Sequence, residues 1–214
     1  MITAKHAGDA WKMAIEHVML QGSQFQDEHQ RLCYEVCNLT ITVEHMEHIT
    51  FPISCLQQIK DWMYPSLHEI AEVALGKKAS SFYGYVYGQR IFKFQGHLNQ
   101  LQQYVIPLLQ KNKGSRRCVV SVLDPVVDTA LDNTYVPGII ALDFYVRQDA
   151  LHVTAFIRSN DIFIGWPANM YQIYVVLEYV AQRLDIPIGS ITTMSVNAHL
   201  FEEYKQHIAS ILKV

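Results

Sequence analysis

LHVTAFIRSNDIFIGWPAN, residues 151–169, is the stretch from which the rest of the chain is best read. Leu151 to Ile157 is an apolar run of strand length. It passes directly into Arg158, Ser159, Asn160 and Asp161, then through the turn-forming Gly165 and Pro167 to Asn169. A guanidinium, a hydroxyl, a carboxylate and a carboxamide thus fall within twelve residues, so several hydrogen-bonding groups can converge on one polar ligand. Arg158 at the end of an apolar strand needs a counter-charge, and Ser159 can donate to the same anion. Asn169 offers a donor and an acceptor, the pattern that reads a lactam edge, and equally suits the N-cap of a helix beginning at Met170.

Working outward, Ala10, Trp11, Ala14, Ile15, Val18 and Met19 recur at helical spacing over residues 7–21. Residues 31–43 alternate and are rich in β-branched side chains, which predicts a strand. Leu56 to Leu75 reads as a helix interrupted at Pro65 and closed by Gly76. Phe82 to Tyr87 reads as a short aromatic strand, and Leu98 to Leu108 as an amphipathic helix. Cys118–Leu123 and Gly138–Val146 are further strands, Met170–Leu184 an apolar helix, Ile191–Val196 a strand and His199–Leu212 a last helix. The pattern is α+β: one domain over residues 1–214, a mixed β-sheet packed on a long buried helix.

Composition narrows the function classes. Of the 214 residues half are apolar and 17% charged, which describes a globular chain with a sizeable core. A formal net charge of −3 argues against a general nucleic-acid binder, because duplex affinity needs many phosphate-neutralising cations. The first sixteen residues lack the continuous apolar segment of a secretory signal, and Ile173–Val180 is too short to span a bilayer. A soluble cytoplasmic protein is expected, with Cys33, Cys37, Cys55 and Cys118 as reduced thiols. His45 and His48 stand three apart beside Glu44 and Glu47, yet match no strong zinc pattern, so no metal is expected.

Ser115-Arg116-Arg117 follows a turn and opens a strand. Guanidinium forks suit phosphate oxygens, although two basic residues at a strand start are also ordinary solvated side chains.

Together, Ser115-Arg116-Arg117, Pro137-Gly138, Arg158-Ser159-Asn160-Asp161, Gly165 to Asn169 and Asn197-Ala198-His199 resemble the thymidylate synthase family. Tyr85-Val86-Tyr87-Gly88 is similar to its Val-Tyr-Gly turn and His68-Glu69 to its His-Glu helix, so the resemblance covers roughly residues 60–205. The short methanogen-type members look closest. The resemblance implies a thymidylate-synthase-like fold and a homodimer with its sheets packed back to back. Arg158 and Ser159 would bind the phosphate of a pyrimidine nucleoside monophosphate, with Arg116 and Arg117 reaching in from the second subunit. Asn169 would read the pyrimidine, His199 would lie near the sugar, and Glu69, Asp161 and Tyr87 would be the catalytic side chains. The carbon donor would be of the methylene-tetrahydrofolate or methylene-tetrahydromethanopterin type.

Two departures bear on the chemistry. Gly138 stands where the family carries its nucleophilic cysteine, and Phe201 where it has a tyrosine that bonds the sugar. Cys118 lies on another predicted strand as a core residue. A ring carbon already activated by an electron-donating substituent can attack an electrophilic methylene without covalent priming. The expected activity is therefore one-carbon transfer to a pyrimidine nucleotide without the thiol. The alternatives are a catalytically silent nucleotide-binding or partner-supporting homologue, and another reaction at the same site, such as N-glycosidic hydrolysis with Glu69 or Asp161 activating water.

Overall fold

The computed structural model describes residues 1–60, 62–78 and 86–212. Seven strands, β1 (Ile2–Ala4), β2 (Ser23–Gln26), β3 (Leu32–Val43), β4 (Cys118–Ser121), β5 (Ile139–Arg147), β6 (Ala150–Asp161) and β7 (Ile188–Phe201), form one sheet. Its order is β1-β3-β7-β6-β5-β4, with β2 hairpinned onto β3. β1 runs parallel to β3 and β6 parallel to β7, while the other pairs are antiparallel, so the sheet is mixed as the sequence indicates.

The helices are α1 (Ala7–Gln21), α2 (Phe51–Gln57), α3 (Leu67–Ala74), α4 (Tyr87–Phe92), α5 (Ile106–Lys111, entered through a π-turn at Leu101–Val105), α6 (Pro125–Asp128), α7 (Gly165–Leu184) and α8 (Lys205–Leu212). α7 buries Trp166, Met170, Ile173, Val176, Leu177 and Val180. It packs on β6 and β7, and α1 packs beside it on β3. The facing strand residues Ile41, Val153, Ala155, Ile157 and Ile191 are fully buried. At roughly 25 cal/mol per Å² this shared apolar surface is the main source of stability. Trp11 pins α1 to the chain after β6, donating from Nε1 to the carbonyl of Ile162 at 2.9 Å while its ring stacks on Phe163.

One row of the sheet changes its facing. In β6 the buried positions are 151, 153, 155 and 157, then 160; in β7 they are 191, 193 and 195, then 198, 200 and the terminal 201. The change falls at Arg158 and Val196, and in β3 at Asn38, whose φ is +58°. The ladders skip these three residues while the register on either side is kept, Cys37 opposite Asn197 and Leu39 opposite Ser195. A kink of this kind re-aims every side chain beyond it. Because the three strands kink at one row, β3, β7 and β6 keep their register through it, whereas β5 shifts by one residue against β6 between Ile139 and Ala141.

The structure corrects several sequence expectations. Residues 56–75 are not one interrupted helix: α2 ends at Gln57, and α3 starts afresh after Pro65. The new start is fixed by a capping box in which Ser66 Oγ accepts from the Glu69 amide and Glu69 accepts from the Ser66 amide. Gly76 does close α3, at φ +69°. Of the expected strand Phe82–Tyr87, residues 82–85 lie outside the described residues, whereas Tyr87 opens α4. β6 runs through Asp161 and α7 begins at Gly165, so Asn169 lies inside the helix and is not its N-cap. β7 extends to Phe201, which takes His199 out of the expected helix and into a strand. Among the described residues no helix is long and apolar enough to cross a membrane.

α3 and α4 meet at Gly88, where a Cβ would stand 2.1 Å from the Gly76 nitrogen and 2.4 Å from the Val73 oxygen. Backbone cannot yield as a flexible side chain can. Gly88→Ala is therefore expected to cost about 3 kcal/mol, read as a lower urea midpoint with an unchanged slope.

Candidate functional site

Gly138, the residue before β5, gives its carbonyl to the Arg158 amide at 2.9 Å. A Cβ there would stand 3.1 Å from the Tyr87 hydroxyl and 3.4 Å from the Ser159 carbonyl. The Tyr87 hydroxyl also accepts from the Ile139 amide at 3.2 Å. Helix α4 thus delivers Tyr87 to the place where β5 and β6 begin to separate. A side chain larger than hydrogen at position 138 would need that hydroxyl to give way by a few tenths of an ångström.

Arg158 is exposed, and its guanidinium donates from Nε to the Pro137 carbonyl at 3.0 Å and from Nη2 to the Val136 carbonyl at 2.7 Å. The segment before Gly138 is therefore clasped by this arginine. Ser159 follows at the kink, opposite Asn197 of β7, which is itself opposite Cys37 of β3. Two residues further on, Asp161, His199 and Glu35 form a second row across three strands. Directly paired residues share a face, so both rows line one surface.

Asp161 Oδ1 accepts the amides of Phe163 at 2.9 Å and Ile164 at 3.0 Å. Burial pushes its carboxyl up to about 6, against the opposing pull of those two amides and of Arg31. His199 is shifted the other way: burial holds its imidazole below the ordinary value, with Glu35 partly offsetting this. Its ring meets Phe201 edge-on at 5.0 Å. Beyond Asp161, Trp62 stacks near Tyr204 at 5.5 Å and near Phe163 at 5.7 Å, giving an aromatic wall.

The other expected site residues sit apart to different degrees. Asn169 donates to Asn160 Oδ1 at 3.2 Å, and Asn160, itself buried, donates to Ser195 Oγ at 3.0 Å. Asn169 thus approaches from the α7 side, with its carbonyl and one N–H left over. Arg116 and Arg117 are exposed at the start of β4, and neither guanidinium forms an ion pair among the described residues. Glu69 is occupied by the capping box and pairs with Lys78 at 3.7 Å, contacts that hold its carboxyl below the ordinary value. Among the described residues no group of three ligating side chains is placed to hold a metal ion.

Sequence reading missed Arg31, Glu35, Trp62 and Tyr204. Arg31 lies with its guanidinium carbon 3.9 Å from the Phe201 ring centre, paired to Asp27 at 2.8 Å. Glu35 accepts from Asn197 Nδ2 at 2.7 Å. For Arg31 and Glu35 the one signal is a pair of charges just before and within β3, which reads more simply as a wet edge.

The sign of the Asp161 shift sets a pH dependence. Its folded carboxyl binds a proton more tightly than the unfolded one. Its charge therefore weakens the fold above about pH 6, and the penalty fades as pH falls towards the unfolded value near 4. Asp161→Asn keeps the Oδ1 acceptor but cannot ionise. Relative to wild type it should gain roughly 1–2 kcal/mol between pH 4.5 and 7.5, measured by urea unfolding at both.

Comparison with known proteins places these features in a family. A sequence profile described as Thymidylate synthase matches residues 58–213. A protein of Methanococcoides burtonii named "Putative thymidylate synthase" is 33% identical over 213 residues, covering all of this chain and 94% of the relative. One of the same name from Methanosarcina mazei is 30% identical with the same coverage. A Haloferax volcanii thymidylate synthase is 32% identical over 114 residues, 53% of this chain and 32% of that protein. The chain belongs to the thymidylate synthase family.

Proposed function

We propose that this protein transfers a one-carbon unit to a ring carbon of a pyrimidine nucleoside monophosphate without a cysteine nucleophile. The observation that carries this reading is the convergence at Gly138: a thiol-free position walled by Tyr87 and Ser159 and tied by its carbonyl to Arg158. No other cysteine is suited to replace the thiol. Burial pushes the Cys33, Cys55 and Cys118 thiols up, away from the nucleophilic thiolate. Cys37 is on β3, three strand spacings or about 14 Å from β5.

In this reading Arg158 and Ser159 hold the phosphate and Asn169 reads the base edge with its remaining carbonyl and N–H. A methylene-tetrahydrofolate or methylene-tetrahydromethanopterin type donor supplies an electrophilic carbon at the formaldehyde oxidation level. The side chains fit such a donor: Trp62 and Tyr204 present flat aromatic surface, and Asp161 beside them is an acceptor for ring N–H groups. Asp161, with its carboxyl raised to about 6, is also suited to take the proton that the ring carbon loses when the new C–C bond forms. The C–N bond between the donor and the transferred carbon would then break, with the donor amine leaving and water taking its place, so that a hydroxymethyl nucleotide forms with no change of oxidation level. The Tyr87 hydroxyl sits where it can hydrogen-bond the ring. Glu69, fixed in its helix cap, has no part in the proposed step.

The outward sheet face before the kink supports the homodimer. Val119, Phe156, Met194 and Val196 are between 39% and 52% exposed, and Phe156 and Met194 are register neighbours. Such a patch favours a sheet-to-sheet partner. In that dimer Arg116 and Arg117 complete the other subunit's site.

Incubation with UMP, dUMP or CMP and either donor is expected to yield, from at least one of them, a nucleotide heavier by one carbon, read by mass spectrometry; release of free base, or no product from any, overturns the proposal. Arg158→Ala and Asn169→Ala should each weaken nucleotide binding at least about tenfold. Arg116→Ala mixed with Arg158→Ala should regain roughly a quarter of the sites by subunit exchange, as counted by calorimetric stoichiometry. Recovery of none would place Arg116 in its own subunit's site.

A further inference from the structure

The second row of the site contains a carboxylate that neither the family match nor the proposed chemistry uses. Glu35 stands directly opposite His199 in the β3–β7 pairing, and His199 stands opposite Asp161. One oxygen of Glu35 is fixed by Asn197 Nδ2 at 2.7 Å. The other has the Cys37 thiol as its neighbour, at 3.7 Å, a weak donor that leaves most of its acceptor capacity unspent. Residue 201, where a hydroxyl could have served the sugar, is a phenylalanine whose face is covered by the Arg31 guanidinium.

We infer that Glu35 recognises the ribose 2′-hydroxyl, so that the substrate of the site proposed above is a ribonucleotide and not a deoxyribonucleotide. The inference rests on that nucleotide reading and sharpens it. An ionised carboxylate accepts hydrogen bonds and donates none. It repels a phosphate and matches a neutral group that donates, and on a nucleotide away from the base and the phosphate those are the sugar hydroxyls. The spacing agrees. Ser159 and Glu35 are two residues apart along the strands and two strands apart across them, a backbone separation of about 12 Å. With side chains reaching in from both ends, the space between spans a 5′-phosphate to the far side of the ribose. Two vicinal hydroxyls can both donate into this row, one to Glu35 and one to the imidazole of His199, whose ring nitrogen accepts in the neutral form that burial favours. A deoxyribose would leave the Glu35 oxygen desolvated and unmatched, which is how a polar site rejects an analogue lacking one hydroxyl.

The test is calorimetric titration of the full-length protein with UMP, dUMP and 2′-fluoro-2′-deoxyuridine monophosphate. The last keeps the size at C2′ and removes the donor. Wild type is expected to bind UMP at least about tenfold tighter than either of the other two. Glu35→Gln keeps an acceptor for Asn197 but turns an N–H towards the sugar, and Glu35→Ala removes both oxygens. Each should bring UMP down to the level of dUMP while leaving dUMP within about twofold of wild type. Melting temperatures identify any variant that fails to fold, and the more conservative Gln variant then carries the comparison. If wild type binds UMP and dUMP equally, or both variants keep the preference, the ribose assignment is overturned and the nucleotide site stands. If none of the three ligands binds, the nucleotide site itself is overturned.

Discussion

The arrangement depends on a single irregularity in the sheet, the row where Asn38, Val196 and Arg158 drop out of pairing. Before that row the three strands turn Ile41, Ile191 and Val153 into the core; after it the same alternation would have buried Ser159, Asp161, Asn197, His199 and Glu35 under α7. Two acids and an imidazole inside a sheet-helix interface would cost several kcal/mol each without full pairing. The kink spares the fold that cost by turning the polar series out of the sheet-helix interface, beside the start of α7, while buried positions are taken up by Asn160, Ala198 and Leu200. Asn38 absorbs the turn with a left-handed backbone, which asparagine tolerates better than most side chains. Site and core are therefore two outcomes of one backbone event.

The sequence shows the architecture well wherever periodicity is long. α1, β3, α7 and the β5–β6 hairpin follow from apolar spacing because each buries a continuous face. It shows the boundaries poorly near the site, and for a common reason. Arg158 to Asp161 and Asn197 to Phe201 continue strands whose apolar patterns have been broken by the kink, so a reading by period ends them early. Asn169 looked like a helix start because Gly165 and Pro167 are turn residues, yet Pro167 is tolerated in the first turn of a helix, where no amide donor is needed. Glu69 is legible in two ways. A Ser-x-x-Glu capping box and a catalytic carboxylate are written with the same letters, and the bonds to Ser66 show that the cap is formed.

Charge is distributed unevenly over the molecule. Arg116 and Arg117 stand exposed without ion pairs among the described residues, while Asp161 and Glu35 lie close to His199 and Arg31. Such separated cationic and anionic groups suit a ligand that is itself polar in opposite senses, acceptor-rich at one end and donor-rich at the other. An aromatic wall at Trp62 and Tyr204 then bounds the side where polar groups are fewest.

Arg158 also has a consequence for how binding strength should be interpreted. Its guanidinium already holds the carbonyls of Val136 and Pro137, so an arriving anion would compete with two existing neutral partners for the same N–H fork. Affinity would then measure an exchange, in which the protein relinquishes its hold on the segment leading to Gly138 as it gains the ligand. Occupancy and the stiffness of that segment would be opposite sides of one equilibrium.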